Sequence, residues 1–288
     1  MDGPKKQASN SPFRRNLRKA KKSPQLMVGI TIVIFFVFIA LFAPLLAPHD
    51  PLYAVVARRM QGPSIQHPLG TDDLGRDVMS RLMYGARISL MVGILATSMG
   101  AAVGVILGLL SGYYGGFIDM IIMRVADVLM AFPGILLALG IVAILGSSTR
   151  NVIIAISIFA VPGYARIVRG STLTVKKLEY IDAIRALGAR DGRIIFRHIL
   201  PNILSPIIVQ STLNVGTAVV AAAALAFLGV GTPPPTPEWG IMLSSGRVFL
   251  GVAPRLVMLP GLMIFLLAVG INLFGNGLRD ILEPRNRM

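Results

Sequence analysis

Residues 179–201 read EYIDAIRALGARDGRIIFRHILP, a charged, turn-broken stretch set between two long apolar runs. Wound at about 100° per residue, Tyr180, Ile181, Ile184 and Leu187 gather on one side and Asp182, Arg185, Ala189 and Arg193 on the other. That is the pattern of an amphipathic helix. Gly188 leaves a gap in the apolar stripe, Asp191-Gly192 is a turn signal, and Pro201 suits the first turn of a following helix, where its missing N–H costs nothing. The stretch reads as helix, turn, helix at the surface of whatever its apolar flanks build.

Those flanks read as membrane spans. Hydrophobic residues make up 54% of the 288, charged residues 14%, and the mean hydropathy is +0.72, which excludes an ordinary soluble chain. A net charge of +15 raises nucleic acid as a partner, but the basic residues sit in short segments between apolar runs, without interleaved aromatics or a recognition motif. Membrane topology explains them better. Cysteine is absent, and His49, His67 and His198 are spread along the chain, so the sequence predicts neither a thiol nucleophile nor a metal bound by this chain.

Upstream of the charged stretch, residues 151–168 form a span interrupted by Pro162-Gly163, with Arg166 and Arg169 at its inner end. Downstream, residues 206–230 form another, whose Ser211, Thr212, Asn214 and Thr217 fit two roles equally, lining a solute path or bonding neighbouring helices. Further out, residues 88–110 make a span with Gly100, Gly104 and Gly108 at intervals of four, a face of bare backbone for close helix packing. After a turn at Gly112-Tyr113-Tyr114-Gly115-Gly116, a span reaches Leu145 through Pro133. It begins with Asp119, Arg124 and Asp127, and the spacing of the last two predicts a structural pair on one helix face.

At the N-terminal side, residues 1–25 form a basic tail, and residues 26–47 are an uncharged run of about the 20 residues that cross a bilayer. Pro44 and Pro48 at its end, in place of a small-residue cleavage site, mark an uncleaved signal anchor. Residues 48–87 are polar and turn-rich. Within them Asp72-Asp73 reads as capping and hydrogen bonding before Leu74 and not as a metal or catalytic pair. Residues 231–255 form a second outer segment with Trp239 at a membrane interface, residues 256–278 close the set of six spans, and 279–288 form the final tail. About 20 of the 28 Lys and Arg then fall inside, which the positive-inside rule requires, with both termini cytoplasmic. The chain carries no G-x-x-x-x-G-K-[ST] phosphate loop and no Ser-His-Asp order, so it reads as a non-catalytic membrane subunit.

The stretch 179–201 resembles the coupling segment of inner-membrane permease subunits of ABC importers, whose signature runs Glu-Ala-Ala, three residues, Gly, nine residues, Ile, one residue, Leu-Pro. The match is Asp182-Ala183-Ile184, Gly188 and Leu200-Pro201, with Asp182 for Glu, Ile184 for the second Ala and His198 for Ile. HPLGTDDLGRDVMSRLMYGARISL (67–90) and PPPTPEWG (233–240) resemble the dipeptide, oligopeptide and nickel branch. The resemblance implies an all-α, polytopic membrane fold, an N-terminal anchor followed by a five-helix type I importer core (88–278) with a cytoplasmic coupling helix. It implies a permease for dipeptides or oligopeptides, with nickel or another small solute as the alternative and a self-contained secondary transporter as a distant one. It further implies a second permease, two ATP-binding subunits that hold the ATP and Mg, an extracytoplasmic solute-binding protein, and no cofactor on this chain. Glu179, Asp182, Ala183, Arg185, Gly188, Leu200 and Pro201 are the residues expected to meet the ATPase subunit. Gly188, placed by the helical wheel among Tyr180, Ile181, Ile184 and Leu187, is expected to be the tightest point of that contact.

Overall fold

A computed structural model describes residues 23–282; the tail residues 1–22 and 283–288 lie outside them. Among the described residues the elements are helical, with one isolated bridge between Thr71 and Asp77. Five helices are long and apolar enough to cross a membrane, or six if a bent pair counts as one span. The helices are α1 (Pro24–Leu46), α2 (Val78–Tyr114), α3 (Gly116–Ala131), α4 (Gly134–Leu145), α5 (Thr149–Lys176), α6 (Glu179–Ala186), α7 (Asp191–Phe227), α8 (Trp239–Gly246) and α9 (Arg255–Leu282).

Helix limits follow caps more closely than they follow the ends of apolar runs. α2 starts ten residues before the expected 88, because Asp77 caps it by accepting from the Ser80 N–H at 2.7 Å. The charges that end the apolar run do not end the helix. Arg81 is buried, its Nη1 donating to the Pro51 carbonyl at 3.1 Å and its Nε lying 3.4 Å from Asp72. α5 passes through Pro162 and Gly163 without interruption, which corrects the expected break. A proline inside a membrane helix is tolerated where neighbouring groups satisfy the freed carbonyl. The third span does break: α3 and α4 meet at Phe132-Pro133 with a bend of 92°.

α2 packs on α5 through its bare face. A Cβ at Gly108 would lie 2.6 Å from the Ala165 carbonyl oxygen, and one at Gly100 2.8 Å from the Ala160 Cβ, so only glycine permits this approach. Around that contact the apolar side chains gather in three clusters. One joins α1, α2, α8 and α9 about Trp239, a second joins the middles of α2 and α4 to the start of α5 and the end of α7, and a third joins α2, α5, α6 and the start of α7.

Two expectations about side chains are corrected. Asp127 pairs with Arg166 (2.8 Å) and Asp119 with Arg169, bidentately, instead of Asp127 with Arg124. Spacing of three puts Arg124 and Asp127 on one face, but the arginines of α5 reach α3 from outside, and the guanidinium fork of Arg169 matches a carboxylate. Trp239 is fully buried, so its ring faces protein and not a membrane interface. Its Nε1 donates to the Leu82 carbonyl at 2.9 Å, and its ring meets Phe36 edge-on at 5.6 Å.

Candidate functional site

The bundle has two unlike ends. At one, residues 48–77 and α8 cover the starts of α2 and α9; at the other, α6 lies beneath the end of α2, the end of α5 and the start of α7. The stretch singled out in the sequence occupies the second end.

α6 is eight residues long and is anchored by Ile181, which is 0% exposed among Leu109, Tyr113, Val168, Ile194, Ile195, Ile199 and Ile203. Ile184 is half-buried at the edge of the same cluster. The rest of the wheel faces outward: Glu179, Asp182, Ala183, Arg185, Ala186 and Leu187 are all exposed, Leu187 by 87%. Asp182 and Arg185 form an exposed ion pair at 2.9 Å. Acids in the first turn and Arg185 in the last suit the helix dipole.

Gly188 does not lie on the helix. α6 ends at Ala186, and Gly188 follows with φ +81, a left-handed conformation that glycine takes without penalty. Its N–H donates to the Arg185 carbonyl at 2.9 Å and the Ala189 N–H donates to the Ile184 carbonyl at 3.3 Å, the two bonds of a Schellman cap. Nothing lies within 4 Å of where its Cβ would be. The expectation of a glycine packed on the helical face is therefore corrected: Gly188 stops the helix and turns the chain. A wheel cannot reveal where its own helix ends.

Two further readings change in the same stretch. Asp191-Gly192 opens α7 and is no turn between helices, and Pro201 does not begin that helix. α7 starts at Asp191 and absorbs the proline by switching from a π turn (Ile194–Ile199) to a 3-10 turn (Leu200–Ile203). Leu200 is half-buried against the Ile181 cluster and Pro201 is exposed. The seven expected residues thus divide: Glu179, Asp182, Ala183 and Arg185 share the outer surface of α6, Gly188 shapes the turn after it, and Leu200-Pro201 shape the root of α7 beneath.

Polar bonds fasten α6 and its turn to the bundle. The Tyr113 hydroxyl donates to Asp191 Oδ1 at 2.7 Å, and the Lys176 ammonium donates to the Tyr113 carbonyl. Contact with the Tyr113 hydroxyl holds the Arg185 guanidinium further toward its charged form. Asn202 Nδ2 donates to the His198 carbonyl (2.7 Å) and to the Tyr180 hydroxyl (3.1 Å). Tyr113 and Lys176 escaped sequence reading because they lie 78 and 63 residues from their partners along the chain, or their partners from them.

Of the polar residues of α7, Ser211 bonds a neighbouring helix. Ser211 accepts from the Tyr164 hydroxyl across to α5 at 3.0 Å, whereas Thr212 bonds back to the Ile208 carbonyl. Asn214 and Thr217 line a small cleft between α2, α5 and α7 with Thr97.

Residues 104–288 match the family model described as binding-protein-dependent transport system inner membrane component, and residues 11–63 match the N-terminal TM domain of oligopeptide transport permease C. The dipeptide transport system permease protein DppC of Alkalihalophilus pseudofirmus is 50% identical over 275 residues, covering 96% of this chain and 90% of that protein. The glutathione transport system permease protein GsiD of Escherichia coli is 47% identical over 276 residues, covering 96% and 91%. A solved structure of the MetNI methionine ABC transporter in an inward-facing conformation shares the fold, with a TM-score of 0.57 at 19% identity over 70% of this chain and 97% of that one. The chain is a multi-pass inner-membrane protein and belongs to the binding-protein-dependent transport inner-membrane components, the permeases of ABC importers, in their peptide branch.

Proposed function

We propose that this permease passes dipeptides or other short peptides through the membrane and receives the work of ATP hydrolysis through α6. The observation that carries the coupling half is the division of that helix: one fully buried isoleucine roots it to α2, α5 and α7, while its charged residues and Leu187 face outward. A short helix held in this way moves as a unit with the long helices it touches. Pushing on its outer face therefore displaces the ends of α2, α5 and α7 that hold it. Glu179, Asp182, Ala183, Arg185 and Leu187 are the contact surface, and Gly188, Leu200 and Pro201 set its angle.

On this reading the α6 end faces the cytoplasm, the end covered by residues 48–77 and α8 faces outward, and both termini are inside. The partners are a second, related permease, two ATP-binding subunits that supply ATP and Mg, and an extracytoplasmic solute-binding protein that presents the cargo. Alternating access then follows from rigid-body rotation of the two permeases. The peptide cargo is supported by the 50% and 47% identities to dipeptide and glutathione permeases.

Reconstitution with these partners in liposomes tests the reading. Uptake of a labelled dipeptide that requires both ATP and the binding protein is the expected result. Uptake of Ni²⁺ but no peptide would overturn the cargo, and transport by this chain alone, without ATP, would overturn the coupling.

A further inference from the structure

At the end opposite α6, three residues far apart in sequence come together. His49 follows α1, His67 lies in the covering loop and Asp77 caps α2, and one ligand-type atom from each lies within 4.8 Å of the other two. The Asp77 carboxylate is wholly buried. Its Oδ2 accepts from the Ser80 N–H and hydroxyl, both at 2.7 Å, and its Oδ1 lies 2.9 Å from His67 Nδ1 and 3.9 Å from His49 Nδ1. The neighbouring arginines are taken: Arg76 and Arg81 both turn to Asp72. Asp77 Oδ1 faces the two imidazoles instead.

A buried carboxylate needs a compensating positive charge. His49 Nδ1, which faces Asp77 Oδ1, is buried without a hydrogen-bond partner, and so is His67 Nε2 on the other side of its ring. The rings lie 4.6 Å apart, tilted by 32°.

We propose that His49, His67 and Asp77 form a binding site for a divalent cation of the Zn²⁺ or Ni²⁺ class, ligated by Nδ1 of each imidazole and by Asp77 Oδ1. Tetrahedral sites with metal–ligand bonds of about 2.0–2.1 Å put neighbouring ligand atoms about 3.3 Å apart. The observed 2.9 and 3.9 Å to Asp77 straddle that value, and all three ligand atoms lie within 4.8 Å of one another. Two imidazoles and a carboxylate favour such cations over Mg²⁺ or Ca²⁺, which take oxygen ligands. A fourth position is left for water. Entry is from the side of His49, whose side chain is 36% exposed and lines an open cavity of about 510 Å³ with Leu52 and Tyr84. Because Asp77 and His67 are buried, the cation would be resident and not cargo. It would tie the end of α1 and the covering loop to the first turn of α2.

The test is a Zn²⁺ titration by calorimetry of the purified full-length permease in its transporter assembly, after chelator treatment, with wild type, His49→Gln, His67→Gln and His198→Gln compared. We expect one saturable site per chain, weakened by more than about tenfold in the first two variants and unchanged in His198→Gln. Zn²⁺ should also raise the melting temperature of wild type and not of His49→Gln. Should His67→Gln fail to assemble, His49→Gln decides alone, since the other bond of His49 is from its backbone N–H to Ser80. Absence of a saturable site in wild type, or binding by His49→Gln equal to wild type, overturns the proposal. The readout is binding, so it stands apart from whether peptides are the cargo.

Discussion

The two ends of this bundle are held by different physics. The end under residues 48–77 and α8 is closed by long-range contacts, Trp239 against Leu82 and Phe36, Arg81 on the Pro51 carbonyl and the half-buried Arg255 on the Met60 and Gln61 carbonyls, while the buried Glu238 caps α8 locally with both oxygens. The α6 end rests on one buried isoleucine and a few polar ties, with its ion pair and Leu187 in the open. A buried, cross-braced cap resists deformation, while a rooted but exposed helix offers a surface to something else. The permease is thus stiff at its covered end and presents an open helix face at the other.

The largest effect expected from breaking this contrast is at Trp239. Trp239→Ala removes a fully buried ring and leaves the Leu82 carbonyl without its donor, which should destabilise by about 3–5 kcal/mol. Leu187→Ala, on the exposed end, should shift stability by less than about 0.5 kcal/mol. Thermal melting of the two variants in the purified assembly gives the comparison directly, and equal shifts would mean that the two ends do not differ as described.

Smaller effects are expected at the α3–α5 ion pairs. Arg169→Ala leaves the half-buried Asp119 with only the Ser111 hydroxyl, an expected loss of about 1–3 kcal/mol. Arg166→Ala, whose pair with Asp127 is more than half exposed on both sides, should cost under about 1 kcal/mol. The double exchange Asp119→Arg with Arg169→Asp should recover part of the larger loss. If Arg124→Ala proves as damaging as Arg169→Ala, the pairing across helices is wrong.

At Gly188 the cap sharpens the reading of the α6 end. Any side chain there must take φ +81, so Gly188→Ala should cost about 1–2 kcal/mol locally although the space around it is open. Gly188→Asn, which tolerates that conformation better, should cost less. Amide exchange of α6 measures both, and a stabilising Gly188→Ala would show that the helix continues through position 188.

The smallest expected effect is a slope with pH. Burial raises the pKa of Glu238, opposed in part by its bonds from the Gly240 and Ile241 N–H groups. The folded state therefore holds this proton more tightly than the unfolded chain, so its contribution to stability falls as pH rises from the ordinary glutamate range through the raised value. Glu238→Gln should flatten that part of the melting profile. A profile parallel to wild type would place the carboxylate in ordinary surroundings.

Much of this architecture was legible in the residues. Apolar runs located every long helix, and the glycines spaced by four in α2 marked the face that meets α5. Charges misled where they were read as boundaries: Arg81 and Arg87 ended the apolar run, yet α2 continues through them because Arg81 finds carbonyls and Asp72 inside the cap. Pro162 and Pro133 look alike in sequence, but one lies within an unbroken helix and the other at a 92° bend. The stretch 179–201 gave up its amphipathic helix but not the place where that helix stops or where the next one starts. What stayed hidden was each contact between distant segments, such as His49 with Asp77 or Trp239 with Leu82, because periodicity carries no information on which loops meet.

Since the chain has no cysteine, a single one can be placed at will. A photoreactive crosslinker attached to Ala183→Cys, on the exposed face of α6, should join this permease to its ATP-binding subunit on illumination of the assembled transporter. The same group at Ser64→Cys, on the opposite end, should not. A Ser64 adduct with the ATPase, or an Ala183 probe that joins only lipid or the other permease, would contradict the assignment of α6 as the helix through which ATP hydrolysis moves this bundle.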